Sequence, residues 1–383
     1  MIFFAVSILT LAALLAAFPT NTRNNAASIP LTRRLNVPSG QTLPEIDKAR
    51  AQAFKSTAAQ RAQKDSSITP VPVTNTAVLY TAEVLIGEPP QTFDLIVDIG
   101  SSSTWIGANT SNPYTPTNTS TATSTILCVQ FIEYGSGLFI GLEYNDTVTI
   151  GGLSIPNQTI GDAQWALGFE AGVDGILGLG LLDAYEVGIA FAPPNSTSDP
   201  NGELTFGGVD SSKFNGDLTY TNITTTYPAM DYVGFNQSVT FGNQTLLSNT
   251  AGIVDTGTTL VELASDAFAT YQNLTGAVLD STTGLLTISS AQLDNLPSLF
   301  FIIENATFEL TSNAQLWPRA LNSAIGGKND SIYLIVSDLG TPSGEGLDFV
   351  NGYAFLERFY AVYDTGNSRV GFATTPFTFS TSN

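Results

Sequence analysis

The sequence contains no histidine, a single cysteine (Cys128) and only 13 Lys and Arg against 33 Asp and Glu among its 383 residues. The absence of histidine excludes Ser-His-Asp and Cys-His catalysis, and it excludes any metal site built on imidazole. One cysteine cannot form an intramolecular disulfide. Cys128 lies in the apolar run 126–132, which favours a small buried side chain over a reactive thiol. The net charge of −20 makes nucleic-acid binding very unfavourable.

The few basic residues are concentrated at the start of the chain. Residues 1–68 carry eight Lys or Arg and three acids, a net charge of +5, whereas the remainder carries five bases and 30 acids, a net charge of −25. A basic N-terminal piece on an acidic body predicts electrostatic docking of one on the other. Acid would protonate the carboxylates of the body, so the same pattern predicts release at low pH.

Two stretches of the sequence share one pattern. Phe93–Trp105 reads FDLIVDIGSSSTW and Ala251–Leu263 reads AGIVDTGTTLVEL. In each, an apolar run ends in an aspartate, followed by one residue, a glycine and hydroxyl residues. The aspartates, Asp98 and Asp255, are 157 residues apart. A single Asp-x-Gly turn means little, but two copies, each behind a β-branched run, predict two related lobes that face each other.

Two carboxylates held in contact cannot both ionise, so one pKa falls and the other rises. One can then act as a base on a water while the other donates a proton, and this chemistry needs no metal or cofactor. The glycines of the two motifs, Gly100 and Gly257, would let the backbones approach closely. The hydroxyls that follow, Ser101 and Thr258, can each donate to the aspartate of their own loop.

From about Thr74 to its end, the chain resembles the pepsin-type aspartic endopeptidases of family A1, and within them the secreted fungal polyporopepsin-type enzymes. The resemblance implies an all-β, bilobal acid-protease fold with two related β-barrel-like lobes and a cleft between them. It implies hydrolysis of peptide bonds at acid pH, an extended polypeptide as substrate, the chain's own prosegment as inhibitor, and a monomer. No cofactor, metal, nucleic acid or membrane partner is expected.

The resemblance also assigns roles to residues of this chain. It makes Asp98 and Asp255 the catalytic pair. Support of the active-site loops falls to Gly100, Ser101, Thr256, Gly257 and Thr258. The sequence Tyr-Gly-Ser-Gly at 134–137 matches the substrate-covering flap, with Tyr134, Gly135, Ser136 and the supporting Trp105 as the flap and substrate-binding residues. An ordinary hairpin and an ordinary core tryptophan are the alternatives for these positions.

The chain divides into four predicted segments: a signal peptide (1–20), a prosegment (21–70), an N-terminal lobe (71–210) and a C-terminal lobe (211–383). The apolar run Ile2–Phe18 predicts a secreted or vacuolar protein, and a membrane anchor is the alternative. Pro44–Lys64 has the strongest helical pattern, with acids early and bases late. It is interpreted as the part of the prosegment that covers the cleft, and a solvent-exposed linker helix is the alternative. Eleven Asn-x-Ser/Thr sequons predict a glycoprotein.

Two departures from the family pattern bear on activity. The first motif has Ile99 where the family has threonine, so a hydroxyl that would bond the opposite loop is missing, at roughly 1–3 kcal/mol per unpaired group. Only residues 181–201 stand where the family has a helix and a returning strand, so the first lobe looks shortened after residue 180.

These departures keep a second hypothesis open, a catalytically impaired pseudoprotease that only binds peptides. A third hypothesis, glycoside hydrolysis by two carboxylates, explains neither the two symmetric loops nor the flap. The hypothesis that the residues favour is an aspartic endopeptidase made as a zymogen.

Overall fold

The structure is a computed structural model that describes residues 27–63, 78–98, 104–122, 130–134, 137–151, 153–167, 173–178 and 186–383. The predicted signal peptide lies outside these residues, and so do Ile99, Gly100, Ser101, Gly135 and Ser136. Within the described ranges, no helix is both long enough and apolar enough to cross a membrane.

The described chain is mostly β-structure, which confirms the predicted all-β class. The strands are β1 (Ala27–Leu35), β2 (Val78–Ile86), β3 (Gln91–Asp98), β4 (Trp105–Ile106), β5 (Thr121–Ala122), β6 (Gln130–Tyr134), β7 (Gly137–Ile150), β8 (Leu153–Leu167), β9 (Gly175–Gly178), β10 (Glu186–Ala190), β11 (Ser198–Phe206), β12 (Asn215–Asn222), β13 (Gly234–Phe241), β14 (Gln244–Val254), β15 (Val261–Leu263), β16 (Val278–Leu279), β17 (Leu286–Ile288), β18 (Leu299–Ile303), β19 (Ala306–Leu310), β20 (Ile332–Tyr333), β21 (Val336–Asp338), β22 (Phe349–Asn351), β23 (Phe359–Asp364) and β24 (Arg369–Thr374).

The described α-helices are α1 (Leu43–Gln63), α2 (Ser265–Thr275), α3 (Ser290–Leu293) and α4 (Tyr353–Leu356), and short 3₁₀ turns occupy Ala229–Asp231, Asn313–Gln315, Arg319–Ile325 and Thr365–Asn367. Helix α1 agrees with the helix predicted over Pro44–Lys64. At its start, the backbone N–H and the hydroxyl of Thr42 both donate to the Glu45 carboxylate at 2.9 Å. This side chain satisfies one of the backbone donors that a helix start leaves open.

Contacts divide the chain into two compact units. Unit 1 holds residues 1–24, 53–75 and 81–183, and unit 2 holds 25–52, 76–80 and 184–383. The sequence placed the lobe boundary at residue 210, whereas residues 184–210 group with unit 2. The reason is their pairing, because β10 lies between β11 and β23 and β11 pairs with β1, all in unit 2.

Unit 1 is built on one sheet with the strand order β2-β3-β9-β4-β8-β7-β5. Strand β7 also pairs with β2, where Val84 is opposite Ile150, so the sheet closes on itself. Strand β6 pairs with β7 and brings Tyr134 opposite Gly137, which confirms the hairpin predicted there. Trp105 is fully buried and packs against Ala163 and Ile176.

Unit 2 contains three sets of paired strands. One runs β12-β24-β23-β10-β11-β1, the second runs β19-β18-β13-β14-β22-β15-β21, and the third is β16-β17-β20. Its core is rich in aromatic rings. Phe355 lies within 4.7–5.7 Å of Phe301, Phe359 and Phe372, measured between ring centroids. These rings are all fully buried, so they pack helix α4 and the first and second sets of strands against one another.

The same pairing pattern surrounds each aspartate motif. In unit 1, β3 pairs parallel with β9, β9 antiparallel with β4, and β4 parallel with β8. In unit 2, β14 pairs parallel with β22, β22 antiparallel with β15, and β15 parallel with β21. The internal repeat read from the two motifs therefore extends to the strands that carry them.

One expectation about residues 181–201 was wrong. The returning strand is present as β10, which pairs antiparallel with the Glu203–Phe206 part of β11, with Ile189 opposite Leu204. Val187 and Ile189 of this strand, and Phe191 directly after it, alternate into the interior and are buried. In the described residues between 178 and 202 the regular structure is this strand and the start of β11, with no helix among them.

Candidate active site

Asp98 is the last residue of β3, at the end of a strand whose Phe93, Leu95 and Val97 point inward. It is 2% exposed, and its register partner in the parallel neighbour β9 is Gly178. The apolar run thus ends in a buried carboxylate, as the sequence predicted.

Asp255 follows β14 directly and is also 2% exposed. Its backbone N–H donates to the carbonyl of Asn351 in β22 at 3.2 Å. The side chains of Asn351 and Gln237 exchange two amide hydrogen bonds of 3.1 and 3.3 Å, and both residues are fully buried. This amide pair links β13 and β22, the two strands that flank β14, and so holds the end of the strand that Asp255 follows. Sequence reasoning gave neither residue a role at the site.

The loop after Asp255 supports its carboxylate. The Thr258 hydroxyl donates to Oδ2 of Asp255 at 2.7 Å, as the sequence predicted for this hydroxyl. Thr256 is buried, and its hydroxyl has no hydrogen-bond partner among the described residues. The support of the active-site loops that the resemblance assigns to Thr256 stays a prediction, because residues 99–103 of the first motif lie outside the described residues.

A basic side chain from the N-terminal segment meets this carboxylate. Nε of Arg50, in α1, donates to Oδ2 of Asp255 at 2.7 Å, and its Nη2 donates to Oδ1 at 3.0 Å. The two side chains are 1% and 2% exposed, so this two-pronged ion pair is closed off from water. A Cβ on Gly257 would lie 2.1 Å from Nη2 of Arg50, so the glycine leaves the space in which the guanidinium lies.

The ion pair sets the protonation of Asp255. Burial alone would raise the pKa of this carboxyl, but the Arg50 guanidinium and the Thr258 hydroxyl outweigh burial and hold the pKa below its ordinary value. Asp255 is therefore a carboxylate while Arg50 faces it. A carboxylate in a salt bridge is a poor base and has no proton to give, so this arrangement restrains acid–base chemistry at Asp255.

Two neighbours of Arg50 on α1 also bind residues from the 184–383 part of unit 2. Oδ2 of Asp47 accepts the backbone N–H of Thr259 at 3.1 Å and that of Leu260 at 2.8 Å. Nζ of Lys48 donates to Oδ2 of Asp338, in β21, at 2.9 Å. The sequence predicted that bases of this helix face the acidic body, but not which ones. A signal was present, since residues 43, 46, 47, 50, 51 and 54 follow helical spacing and all are buried.

The flap residues are only partly described. The backbone of Tyr134 lies in β6, at the edge of the predicted hairpin tip, whereas Gly135 and Ser136 lie outside the described residues. Trp105 is a buried core residue of unit 1. Its predicted support of Tyr134 stays a prediction, as do the roles of Gly100 and Ser101.

Comparison with known proteins gives one consistent result. The family model described as "Eukaryotic aspartyl protease" matches residues 79–193 and 191–375. Polyporopepsin of Irpex lacteus is 54% identical over 342 residues, which covers 82% of this chain and 99% of that protein. Vacuolar protease A of Arthroderma otae is 33% identical over 333 residues, covering 77% of this chain and 78% of that protein.

The crystal structure of the aspartic proteinase from Irpex lacteus superposes with a TM-score of 0.75 at 45% sequence identity, covering 94% of this chain and all of that one. The resemblance and the pepsin-like fold that it implied are thus confirmed, and so is the enzyme class, aspartic endopeptidase. The family match spans both aspartate motifs and the strands around them. The chain belongs to the eukaryotic aspartyl protease family.

Proposed function

We propose that this chain is the precursor of an acid endopeptidase, in which Asp98 and Asp255 together activate a water molecule and the N-terminal segment keeps Asp255 inactive until it is removed. The observation that carries the proposal is the buried, two-pronged ion pair between Arg50 and Asp255. A base from a segment outside the family match, whose residues begin at 79, neutralises one of the two predicted catalytic carboxylates.

The repeated strand pattern supports equal roles for the two aspartates. Asp98 and Asp255 each end or directly follow a strand in the same parallel and antiparallel pairing, and each is 2% exposed. In the processed enzyme the two carboxyls would share a proton, because like charges held close cannot both ionise. The ionised carboxyl then takes a proton from the attacking water, and the protonated one gives its proton to the leaving amine.

The donors around Asp255 fit this division of labour. The Thr258 hydroxyl belongs to the same loop as Asp255 and not to the N-terminal segment, so it would still be there to hold the carboxyl in place after processing. Loss of the guanidinium removes the main influence that lowers the pKa of Asp255, and the carboxyl becomes able to take part in proton sharing.

The substrate in this proposal is an extended polypeptide with hydrophobic side chains beside the cleaved bond, covered by the flap at Tyr134. The enzyme would act as a monomer after secretion or delivery to the vacuole, and it would work at acid pH. The charge distribution supports acid operation, since a body with a net charge of −25 sheds self-repulsion as its carboxylates protonate.

Cleavage of a denatured protein at roughly pH 3–5 by the acid-incubated chain, with and without pepstatin, tests the proposal. We expect pepstatin-sensitive cleavage that Asp98→Asn abolishes. Release of the predicted prosegment, residues 21–70, should accompany the onset of activity.

Failure of a folded, processed chain to cleave would overturn the proposal and favour a pseudoprotease that binds peptides. Ile99→Thr then separates the causes. Recovered cleavage would assign the defect to the missing hydroxyl, and continued inactivity would assign it to the shortened region after residue 180.

A further inference from the structure

The N-terminal segment brings a carboxylate, not only cations, into the region around Asp255. Asp47 is fully buried. Its Oδ2 accepts two backbone N–H groups, from Thr259 and Leu260, while its Oδ1 has no hydrogen-bond partner among the described residues. One oxygen of this carboxylate therefore helps to dock α1, and the other lies buried without a donor.

A second buried acid lies next to this contact. Glu262, in β15, follows Leu260 by two residues and is fully buried. Within the described part of the chain, neither of its carboxylate oxygens has a hydrogen-bond partner. An ionised carboxylate without donors is strongly disfavoured in an interior, so the stable form of such a group is the protonated acid.

The charges that face Glu262 come from three directions. Asp47 of α1, Asp255 after β14 and Asp338 of β21 all act on it as negative charges, and Lys48 of α1 acts as a positive one. Lys48 already binds Asp338, and Arg50, which also faces Asp47, binds Asp255. Lys48 and Arg50 are thus both engaged by other carboxylates, and neither bonds to Glu262.

The pKa values agree with the geometry. Burial first, and then the charge of Asp47, raise the pKa of Glu262 well above its ordinary value. Burial raises the pKa of Asp47 to about 7, against the opposing effect of the two backbone N–H donors.

We propose that Asp47 and Glu262 form a proton-holding pair, and that docking of the segment on unit 2 requires this pair to hold at least one proton. This inference rests on the proposed function, in which the docked segment is the inhibitory prosegment. It adds a second pH response to the zymogen. Acid weakens the ion pair of Arg50 with Asp255, whereas a rise in pH weakens docking through Asp47 and Glu262.

The direction follows from the pKa of each group in the docked and released states. The docked pKa of Asp47, about 7, is above its ordinary value of 3.8. The contribution of Asp47 to docking is therefore complete below pH 3.8 and is lost as pH rises through about 7. The pKa of Asp255 is below its ordinary 3.8, so its contribution is present above that value and is lost as pH falls through the lowered pKa. Docking at this site is therefore tightest in mildly acidic solution.

The experiment uses the full-length precursor in an Asp98→Asn background, so that it cannot process itself. Amide hydrogen exchange of residues 43–52 is compared between this parent and its Glu262→Gln variant at the same pH, from 4.5 to 7.5. We expect the parent-to-variant ratio of exchange rates to rise at least about tenfold across this range, because only the parent must keep the pair protonated. Glu304→Gln, an exposed glutamate in the turn between β18 and β19, is the matched control and should give a constant ratio.

A parent-to-variant ratio that stays constant with pH for Glu262→Gln would overturn the inference. If that variant does not fold, Asp47→Asn serves in its place, since its amide oxygen can still accept both backbone N–H groups, and the same rise in ratio is expected. The exchange assay does not depend on catalysis. A rising ratio with no peptidase activity after processing would support the proton-holding pair and overturn the proposed function. Activity with a constant ratio would support the proposed function and overturn the proton-holding pair.

Discussion

The ion pair between Arg50 and Asp255 makes a sharp prediction, because the same helix contains a second ion pair with very different burial. The Arg50 and Asp255 side chains are 1% and 2% exposed, whereas those of Lys48 and Asp338 are 37% and 32% exposed. Both pairs have a shortest N–O distance of 2.7–2.9 Å, so they differ mainly in how much water screens them.

Replacing Arg50 with methionine keeps the length of the side chain and removes its charge. Removing one partner of a buried pair leaves an uncompensated charge, at about 3–5 kcal/mol. Since 1.4 kcal/mol is tenfold, the opening of the segment should increase by roughly 100- to 4,000-fold. The Lys48→Met control should stay within about sixfold, because a partly exposed pair contributes about 0–1 kcal/mol.

Hydrogen exchange of residues 43–52 in the Asp98→Asn background measures both changes near pH 6.5. The effect of Arg50→Met should shrink as pH falls towards 4. Without the guanidinium, the Asp255 carboxyl can take up a proton, and the neutral carboxyl no longer needs a cation beside it. Equal effects of Arg50→Met and Lys48→Met would refute the reasoning from burial. An Arg50 effect that does not change with pH would refute the assignment of Asp255 as the charged partner.

Three further outcomes are expected. Thr258→Ala removes the 2.7 Å donor to Asp255, so the acidic limb of kcat/KM against pH should move upward and the maximum should fall roughly 10- to 100-fold. An unmoved limb would contradict the role given to this hydroxyl. Gly352→Ala would place a Cβ 2.4 Å from the carbonyl oxygens of Leu260 and Thr258, so Tm should drop by several degrees in a thermal melt, and an unchanged Tm would show that the loop can shift freely. Self-processing of the unmodified precursor should accelerate as pH falls below the ordinary pKa of Asp255, and processing that is faster at pH 7 than at pH 3 would contradict that sign.

The position of the two aspartates was predictable because it depends on local pattern. Apolar, β-branched runs form buried strands, and a residue at the end of such a strand shares its burial. The segments 176–178 (Ile-Leu-Gly) and 350–352 (Val-Asn-Gly) share a β-branched residue two positions before a glycine, and the structure shows both as the parallel neighbours of the Asp-bearing strands. These features need only the order of residues along one chain segment.

Strand β10 was missed for a different reason. Val187, Ile189 and Phe191 alternate with small residues, which is a strand pattern. Residues 181–201 are fewer than the family has at this place, and the missing length was attributed to a helix and a strand together. The pairing of β10 with both β11 and β23 explains why the strand is kept, since without it two neighbouring strands would each lose a hydrogen-bonded edge.

The partner of Asp255 depends on which face of α1 is buried, and helical periodicity alone leaves that choice open. Five bases lie on the predicted helix, and the apolar residues at 43, 46, 51 and 54 select a stripe that also contains Asp47 and Arg50. Polar residues on a buried stripe normally count against a helix–core interface. Here the polar residues mark the buried face of the helix. The surface against which α1 packs offers the Asp255 carboxylate to Arg50 and two backbone N–H donors to Asp47.

Glu262 illustrates the limit of strand periodicity in the same way. In the sequence Val-Glu-Leu, alternation would turn the glutamate towards water, yet all three residues of β15 are buried. Glu262 and Asp47 can be buried side by side in a stable fold only if at least one of them is protonated. The strength of docking of the N-terminal segment therefore depends on pH. A zymogen with only the Arg50 contact would respond to acid in one direction. The addition of Asp47 and Glu262 confines tight docking to a window, with an upper limit set by their deprotonation and a lower limit set by protonation of Asp255.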